Sequence, residues 1–444
     1  MTFDDIARVE LAHAPTPLEP MERLQATLGG PRIWIKRDDC TGLATGGNKT
    51  RKLEYLIADA EAQGADTVIT FGALQSNHAR QTAAACARRG LGCDLILVPA
   101  VPRTRDDYPR NGNLLLDHLL GARIHRLAEG EDVRSVLERV QAEHAAAGRR
   151  CALIPTGGSN AVGALGYVRC ALEIARTCRD RNLFPSALIH ATSTGGTQAG
   201  LLAGLRLAGL TTRVLGVNVY TPDTAALAAT VSRLAGEVLA RIAPGMTVGP
   251  GAVEVEDGQL GEGYGMPTPG MVEAVELVAR TEGILLDPVY SGKAMAGLLA
   301  MVRRGAFAED DDLVFIHTGG GRPLRLCQRL RRLSPAPGMI GRERCCRSHR
   351  SRPERWRKTV TRPSEILSMA GTLLRAVRMK KFAPGDRESI GALLARNART
   401  HGDAPALTSD GETISWNEFN RRANRVAHQL HEHHGIRHGD SVAR

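Results

Sequence analysis

The run Ala187-Leu188-Ile189-His190-Ala191 is followed, one residue later, by Ser193-Thr194-Gly195-Gly196-Thr197 and then by a helix-forming stretch, Gln198–Leu207. An apolar run that passes through two glycines into a helix predicts a buried strand, a tight loop and a helix start. Backbone N–H groups and the positive end of the helix dipole would meet there, which favours an anion such as a phosphate. The loop lacks the Gly-Lys-Ser/Thr ending of a nucleotide-binding P-loop. A tight turn without a ligand explains the run equally well at this point.

The same alternation of strands and helices continues through residues 1–320. Amphipathic stretches at 51–63 and 76–89 predict helices, the second of which ends at Gly90 as its C-cap. Strands that alternate with helices predict parallel sheets covered on both faces, and about 320 residues are many for one core. We therefore predict an α/β fold with two lobes, each with a mostly parallel twisted sheet flanked by helices, and place the small lobe at about 50–160. The predicted strands are Ile33–Ile35, Thr67–Phe71, Cys93–Val98, Cys151–Ile154, Ala187–Ala191, Arg213–Val217 and Leu313–Ile316.

The positive charge of the chain is concentrated in one segment. The 444 residues carry a formal net charge of +11, but residues 322–362 alone hold 14 Lys and Arg against two acids. The rest of the chain is therefore nearly neutral, which argues against a globally basic nucleic-acid-binding protein. An adaptor that binds an anionic partner through this segment is a weaker alternative, because charge runs are usually solvated.

Membrane, secreted and metal-binding classes are not indicated either. No stretch approaches the ~18–20 apolar residues of a membrane span, and acids at Asp4, Asp5 and Glu10 interrupt the region where a secretory signal would have its apolar core. We therefore expect a cytoplasmic protein without a membrane partner. The nine cysteines are odd in number and scattered, so neither a disulfide framework nor a zinc site is predicted.

Composition divides the chain into three predicted segments. Residues 1–321 form the two-lobed α/β domain. Residues 322–387 are rich in basic residues and lack apolar periodicity over most of their length, which predicts a disordered basic linker and an irregular extension. Residues 388–444 regain apolar periodicity, which predicts a short globular unit.

Lys49 follows two glycines in the run Thr45-Gly46-Gly47-Asn48-Lys49. Glycines let the backbone approach a ligand closely, and a lysine amine can hold the aldehyde of pyridoxal 5′-phosphate as a Schiff base. Lys36 and Lys52 have no preceding glycine pair. A lone lysine is more often a surface residue, but Lys49 and the glycine loop at 193–197 together offer the amine and the phosphate site that such a cofactor needs.

Polar residues follow two other predicted strands at their carboxyl ends, where open α/β sheets bind ligands. Gln75, Ser76 and Asn77 come just after the strand at 67–71 and begin a helix, in which Ser76 or Asn77 can equally be a plain N-cap. Thr318 follows the last strand. Tyr290 lies in a turn before a helix and is a candidate acid–base group, although packing is the usual role of a lone tyrosine.

Seven short motifs occur along the first 320 residues: Ile35-Lys36-Arg37-Asp38-Asp39, Gly46-Gly47-Asn48-Lys49, Gln75-Ser76-Asn77-His78, Gly157-Gly158-Ser159-Asn160, Ser193-Thr194-Gly195-Gly196-Thr197, Leu286-Asp287-Pro288-Val289-Tyr290 and His317-Thr318-Gly319-Gly320. On these motifs, in this order and at this spacing, the chain resembles the fold-type-II pyridoxal-phosphate enzymes of the D-cysteine desulfhydrase and 1-aminocyclopropane-1-carboxylate deaminase family. The resemblance covers roughly seven-tenths of the chain. Seven ordered motifs are far more specific than any one of them.

The resemblance implies roles for the matching residues. Lys49 would hold pyridoxal 5′-phosphate and move the Cα proton, and Asn77 would bond the phenolic oxygen of the cofactor. Gln75 and Ser76 would meet the substrate carboxylate beside Asn77, and Tyr290 would line the reacting face, so that Lys49, Ser76 and Tyr290 form the catalytic set. We also expect a small amino-acid substrate and a homodimer. The phosphate would be cradled by Thr194, Gly195, Gly196 and Thr197.

Two positions indicate one branch of this family. Deaminase-type members carry Glu after the tyrosine and Leu before the late glycine pair, whereas this chain has Ser291 and Thr318. A carboxylate near the pyridine nitrogen keeps that nitrogen protonated, which gives the strong electron sink that opening a cyclopropane needs. A hydroxyl leaves the nitrogen neutral, and the weaker electron sink that results is sufficient when a β-substituent can leave. We therefore assign Thr318 to the cofactor and Ser291 to the substrate.

The expected reaction is β-elimination from a small sulfur amino acid, with D-cysteine giving hydrogen sulfide, pyruvate and ammonia. Three alternatives stay open at this point: an L-cysteate sulfo-lyase, a 1-aminocyclopropane-1-carboxylate deaminase, and a catalytically inactive homologue that binds the cofactor.

The resemblance breaks after the late glycine pair, where Gly321-Arg322-Pro323 stand in place of small and apolar residues. A reading-frame shift in the gene would produce such a change; an intact frame on resequencing, shared by sister strains, would refute this hypothesis.

Residues 388–444 resemble the N-terminal start of adenylate-forming acyl-CoA synthetases through the runs 413–427 and 439–443. They lack the nucleotide loop and catalytic region of that family, so we expect no ligase activity from this fragment.

Overall fold

The computed structural model describes residues 3–101, 108, 111–128, 130–249, 251–319, 390–409 and 412–424. The chain divides into two compact units, Met1–Gly341 and Arg342–Arg444. The predicted basic linker, residues 322–387, lies outside the described residues. The division into three segments therefore stays a prediction.

Strands and helices alternate along the first unit. The strands are β1 (Leu18–Pro20), β2 (Arg32–Lys36), β3 (Thr67–Ala73), β4 (Gly92–Val98), β5 (Arg123–Arg126), β6 (Cys151–Ile154), β7 (Pro185–Thr192), β8 (Arg213–Asn218), β9 (Glu254–Glu256) and β10 (Asp312–Ile316). The helices are α1 (Glu22–Leu28), α2 (Asn48–Ala62), α3 (Asn77–Arg89), α4 (Gly112–Leu119), α5 (Val133–Ala146), α6 (Ala161–Arg181), α7 (Gly196–Leu207), α8 (Thr224–Ile242), α9 (Pro269–Glu282) and α10 (Ser291–Arg303).

The strands form two sheets. The larger has the order β1-β2-β10-β7-β8-β9, in which β1 is antiparallel to β2 and the other neighbours are parallel. The smaller has the order β5-β4-β3-β6 and is parallel throughout. Parallel strands need a crossover between them, and the helices that supply it cover the sheet faces. The predicted α/β fold with two mostly parallel sheets is confirmed.

The main core lies on both faces of the larger sheet. Along β10, Leu313 and Phe315 join the cluster that packs against α9 and α10, whereas Val314 and Ile316 join the cluster that packs against α6, α7 and α8. This two-residue alternation is the ordinary side-chain period of a strand. Each such side chain contributes about 1.5–3 kcal/mol when it is fully buried, so a strand with apolar residues on both faces belongs at the centre of the sheet.

Helix α6 lies in backbone contact with α2 on one side and with α7 on another. A Cβ added at Gly166 of α6 would lie 2.2 Å from the carbonyl oxygen of Arg51 in α2. A Cβ added at Gly200 of α7 would lie 2.3 Å from the carbonyl oxygen of Ala164 in α6. Both separations are well inside van der Waals contact, so glycine is required at both positions.

A buried ionic network ties the segment after β2 to α2 and α6. Arg51 donates to both carboxylate oxygens of Asp38, at 2.8 and 2.9 Å, and to both of Glu173, at 2.9 and 2.8 Å. Lys36 donates to Glu173 at 3.0 Å. Burial alone would raise the pKa of Asp38, but the charge and hydrogen bonds of Arg51 outweigh it and the pKa is lowered. The carboxylate therefore stays ionised inside the protein.

In the second unit the described residues form a short α/β piece. Helix α11 (Ile390–His401) is followed by an antiparallel pair, β11 (Pro405–Ser409) and β12 (Glu412–Ser415), and by a helix over residues 416–424. Ile414 and Phe419 form its small core with Trp416.

The predicted helix at 76–89 is confirmed together with both of its ends. Ser76 is the N-cap and accepts a hydrogen bond from the Ala79 N–H at 3.2 Å, and Gly90 is a left-handed C-cap with φ 73°. The helix predicted at 51–63 begins three residues earlier, at Asn48. Strands β1, β5 and β9 were not predicted. No helix in the described part of the chain combines the length and apolar character needed to cross a bilayer.

Candidate functional site

A cavity of about 420 Å³ opens at the carboxyl ends of β3 and β7. This volume lies within the ~300–1,000 Å³ typical of small-ligand pockets. Gln75, Gly196 and Ser291 are not among its lining residues, but the other site residues predicted from the sequence are. The wall includes Asn48, Lys49, Ser76, Asn77, His78, Gly157, Thr194, Gly195, Thr197, Tyr220, Tyr264, Tyr290 and Thr318.

The predicted phosphate loop joins β7 to α7. Gly195 is the N-cap of α7 in a left-handed conformation, with φ 79°, so the first N–H groups of the helix are presented at the loop. The hydroxyl of Thr194 lies 2.6 Å from the hydroxyl of Ser159. Gly196 lies just behind the wall, where an added Cβ would be 2.7 Å from the Ser159 hydroxyl oxygen. The first amides of a helix and neighbouring hydroxyls suit an anion.

Lys49 is the second residue of α2, and its side chain lines the cavity. A Cβ added at Gly157 would lie 3.4 Å from the Lys49 amine and 2.7 Å from the Thr194 hydroxyl oxygen. Removal from bulk water lowers the pKa of Lys49 to about 8. About one amine in ten is therefore neutral at pH 7, which is the form that attacks an aldehyde.

Lys52 lies one turn further along α2 and was not selected by sequence reasoning, which favoured the lysine after the glycine pair. Its amine donates to the Gly157 carbonyl and to the Ser159 hydroxyl, both at 3.1 Å. Burial and the neighbouring charge of Lys49 hold the pKa of Lys52 well below its usual value. Neither lysine has a carboxylate partner among the described residues. The three-residue spacing of the two lysines, which places both on one face of a helix, was the available signal.

The start of α3 forms the floor of the cavity beside Lys49. Ser76 lines the cavity as the N-cap, so its oxygen accepts the Ala79 N–H while its own proton is still available to donate. Asn77 is buried at the first position of α3. Burial holds the pKa of His78 well below its usual value, and Nε2 of His78 lies 2.9 Å from the Thr70 hydroxyl. His78 is therefore a neutral neighbour of the site.

Gln75 is engaged outside the cavity. Its amide nitrogen donates to the carbonyls of Tyr108 and Asn111, at 2.8 and 2.9 Å, and its oxygen accepts the Asn113 N–H at 2.8 Å. A side chain with these partners holds Tyr108, Asn111 and Asn113 in place. Its predicted contact with a substrate carboxylate stays a prediction.

Two tyrosine hydroxyls meet at the cavity. The hydroxyl oxygens of Tyr290 and Tyr264 lie 2.5 Å apart, and the ring of Tyr264 packs edge-on against Tyr220 at 5.6 Å between centroids. Burial raises the pKa of Tyr290 well above its usual value and raises that of Tyr264 as well. Both phenols therefore stay protonated at neutral pH. Tyr264 was missed because its only sequence signal is a glycine-rich surrounding, residues 258–265.

Ser291 and Thr318 differ in their surroundings. Ser291 is buried at the start of α10, where its hydroxyl donates to Asp287 at 2.7 Å and accepts the Asp287 N–H at 2.8 Å. Thr318 lines the cavity, and its carbonyl accepts the Asn48 N–H at 2.8 Å. Because the Ser291 hydroxyl already donates its hydrogen bond to Asp287, Thr318 is the better placed of the two to donate to a ligand. The predicted substrate contact of Ser291 stays a prediction.

The side chains around the cavity fit pyridoxal 5′-phosphate. Lys49 can bind an aldehyde, Lys52 and Thr194 can hold a phosphate, and Asn77 can hydrogen-bond a phenolic oxygen. A Cβ at Gly157 would fill the space between the Lys49 amine and the Thr194 hydroxyl. A ligand with its aldehyde at Lys49 and its phosphate at Thr194 would lie next to that space.

Two sequence families match the chain. The model of the family described as "Pyridoxal-phosphate dependent enzyme" matches residues 9–319, and that described as "AMP-binding enzyme" matches residues 394–443. The first match includes every described residue that lines the cavity. The second falls within the second unit, where the sequence resembles adenylate-forming enzymes.

Similar proteins of known name cover most of the first unit. A D-cysteine desulfhydrase of Yersinia enterocolitica is 43% identical over 326 residues, which span 71% of this chain and 94% of the relative. One of Salmonella schwarzengrund is 43% identical over 325 residues, 71% of this chain and 95% of the relative. A solved structure of an ACC deaminase homologue has 34% identity and a TM-score of 0.66, over 75% of this chain and 98% of its own. A threonine deaminase of Solanum lycopersicum, 17% identical with a TM-score of 0.52 over 75% of this chain and 85% of its own, shares the fold.

Proposed function

The chain belongs to the family of pyridoxal-phosphate dependent enzymes, and from that premise we propose that it converts D-cysteine and water to hydrogen sulfide, pyruvate and ammonia. Its likeness to D-cysteine desulfhydrases spans 94% and 95% of two such relatives. The observation that carries the proposal is the convergence of Lys49, the glycine loop before α7 and the Tyr264–Tyr290 pair on one cavity.

The residues around the cavity would hold the cofactor at both ends. Lys49 would bind its aldehyde, Lys52 and the amides at the start of α7 would hold its phosphate, and Asn77 would bond its phenolic oxygen. When bound, pyridoxal phosphate supplies an electron-withdrawing ring that stabilises negative charge on the substrate Cα.

Lys49 and the tyrosine pair would carry the proton transfers. An amine with a pKa of about 8 can both lose and regain a proton near neutral pH. A general base for the Cα proton has to do both. Tyr290 and Tyr264 stay protonated because burial raises the pKa of both. Either phenol can therefore donate a proton to the sulfur as it leaves. Ser76 and the N-terminus of α3 would bind the substrate carboxylate.

One feature of the cavity favours elimination over opening of a cyclopropane ring. No Asp or Glu is among the described residues that line it. Asp287, a buried carboxylate three residues before Tyr290, does not line the cavity. It accepts hydrogen bonds from the N–H groups of Val289, Tyr290 and Ser291 at 2.7–2.8 Å. Thr318 would offer a hydroxyl, and none of the lining residues a carboxylate, to the pyridine nitrogen of the cofactor. The ring would then be the weaker electron sink, which is sufficient when the β-substituent can leave.

The test is a product assay on the purified, cofactor-loaded protein. D-cysteine, L-cysteine, L-cysteate and 1-aminocyclopropane-1-carboxylate are each supplied, and sulfide, sulfite, pyruvate and 2-oxobutyrate are measured. We expect sulfide and pyruvate in equal amounts from D-cysteine. The control is Lys49→Arg, which keeps a positive charge but cannot bind the aldehyde reversibly, and we expect it to be inactive.

Other outcomes separate the alternatives. Sulfite and pyruvate from L-cysteate would assign a sulfo-lyase, and 2-oxobutyrate from the cyclopropane amino acid would assign a deaminase. Cofactor binding without any product would assign an inactive homologue. Full activity in Lys49→Arg would remove Lys49 from the mechanism.

A homodimer is part of the same proposal, on the resemblance to this family. Light scattering after gel filtration should then give twice the chain mass of 47.6 kDa. A single chain mass at micromolar concentration would contradict it.

A further inference from the structure

The loop that carries Tyr264 is rich in glycine. It runs from β9 to α9 without regular structure and contains glycines at 258, 261, 263 and 265. Three of them have positive φ, 63° at Gly261, 143° at Gly263 and 72° at Gly265. Glycine-rich segments lose the most conformational entropy when they are ordered. The Tyr264 hydroxyl of this loop lies 2.5 Å from the Tyr290 hydroxyl.

Lys293 reaches this loop from the third position of α10. Its side chain is fully buried, and its amine donates to the carbonyls of Leu260 and Gly263, at 2.7 and 3.1 Å. Gly263 is the residue directly before Tyr264. The two hydrogen bonds therefore fasten the loop on the N-terminal side of the tyrosine.

Burial of the Lys293 amine at this position costs stability. Among the described residues Lys293 has no carboxylate partner, and burial lowers its pKa to about 8 without a compensating charge. An isolated buried cation costs stability, whereas an apolar residue of similar volume would stabilise the same space. Packing alone therefore does not explain a lysine at this position.

The geometry connects this amine to the reacting end of the cavity. Tyr290 and Lys293 lie three residues apart at the start of α10, hence on one face of the helix. One helix end thus carries Tyr290 itself and the group that fastens the loop of its partner, Tyr264. A change in the distance between helix and loop would separate the two hydroxyls.

We infer that Lys293 is a positioning residue, which holds the loop at 258–265 so that the Tyr264 hydroxyl stays bonded to that of Tyr290 over the substrate. The kinetic part of this inference rests on the proposed function, because it requires the tyrosine pair to act on a substrate. The structural part, fastening of the loop by the Lys293 amine, does not.

The first experiment is hydrogen exchange followed by mass spectrometry on the complete cofactor-loaded protein. Lys293→Met keeps the approximate volume and removes the donors, so peptides that contain residues 258–265 should exchange faster while α9 and the larger sheet are unchanged. The matched control is Arg303→Met on the exposed end of the same helix, where Arg303 pairs with Glu273, and it should not alter the loop. Unchanged exchange of the loop in Lys293→Met overturns the inference, whatever the activity.

The second experiment is a double-mutant cycle. Displacement of a reacting group by about 1 Å costs about 100-fold, so Lys293→Met should lower kcat/KM by about that factor, mainly through kcat. If Lys293 acts through the Tyr264 hydroxyl, the double variant with Tyr264→Phe should be no slower than Tyr264→Phe alone. Losses that multiply would overturn the assignment. Lys293→Gln, one atom shorter, replaces the Met variant if the latter is not recovered folded, and should show a smaller change in the same loop.

The two experiments fail separately. A wild-type protein that turns over no amino acid refutes the proposed function, while the exchange result still decides whether Lys293 fastens the loop. Normal turnover with an unchanged loop in Lys293→Met refutes the inference and leaves the proposed function intact.

Discussion

The amine of Lys49 should react with an aldehyde at a pH where an ordinary lysine is almost inert. Only the neutral amine attacks, and a pKa lowered from 10.5 to about 8 raises the neutral fraction at pH 7 about 300-fold. We predict that the rate of pyridoxal phosphate incorporation into cofactor-free protein rises about tenfold per pH unit below pH 8 and levels off above it. The pKa is lowered and not raised because burial disfavours the protonated amine.

The assay starts from protein stripped of cofactor and mixed with pyridoxal phosphate at pH 6 to 10, in steps of about half a unit, which brackets the expected break at about 8. Borohydride traps the bound aldehyde at timed intervals, intact mass gives the labelled fraction, and peptide mapping locates the label. An acetylated lysine amide treated in parallel corrects for the titration of the aldehyde itself. The Lys49→Arg protein provides the blank.

Two results would refute the reasoning. A corrected rate that keeps climbing to pH 10 would mean that the surroundings of Lys49 do not disfavour its charge. A label on any peptide other than the one containing Lys49 would mean that the wrong amine has been assigned. A plateau near pH 8 with the label on Lys49 supports both the burial argument and the site.

Three further changes have expected outcomes. Asp38→Asn should lower the free energy of unfolding by about 1.5–3 kcal/mol, because buried Arg51 loses the charged hydrogen bonds of one of its two carboxylate partners and keeps only Glu173. The deficit should shrink as the pH falls below about 4, the unfolded-state value, toward the lowered folded-state pKa of Asp38. Thermal melts against the exposed control Glu237→Gln, expected to lose less than about 1 kcal/mol, would contradict this if the two variants melted alike. Gly157→Ala should abolish cofactor binding measured by absorbance, because its Cβ would lie 2.7 Å from the Thr194 hydroxyl; normal occupancy would refute the placement of the ligand. Lys52→Met should weaken binding of pyridoxal phosphate about 10- to 100-fold, as expected for a lost charge-assisted hydrogen bond, but not binding of pyridoxal, which lacks the phosphate; equal losses for both would rule Lys52 out as a phosphate contact.

The central strands and helices of the first unit could be predicted because their apolar periodicity is regular and long. β10 and β7 are apolar on both faces, and α3 has both a capping serine and a terminal glycine. The missed strands lie at sheet edges or beside them. β5 reads Arg-Ile-His-Arg and has one neighbour, β4, so its backbone pairing and not its side chains makes it a strand.

The candidate site was predictable where one short run carries the chemistry, as at Lys49 and at the loop before α7. It was not predictable where residues far apart in sequence meet at or beside the cavity. Lys52 is placed beside the cavity by its contact with the Gly157 carbonyl, 105 residues away, and Tyr264 is placed by its contact with Tyr290, 26 residues away. The partners of Gln75 and Ser291 likewise emerge only from the fold, because an amide or hydroxyl in a sequence does not reveal which neighbour uses it.

The bare backbone contacts on α6 have a consequence for the dimensions of the cofactor site. Lys49 lies on α2, which contacts one side of α6, and the phosphate loop begins α7, which contacts another side of α6. The distance between Lys49 and the phosphate loop therefore depends on how closely α2 and α7 approach α6. With glycine at positions 166 and 200, both helices approach α6 as closely as backbone contact allows. A methyl group at either position would have to push the helices apart by about 1 Å, because its separation from the carbonyl oxygen would be only 2.2 or 2.3 Å. A rigid molecule held at both ends would then lose its contact at one of them.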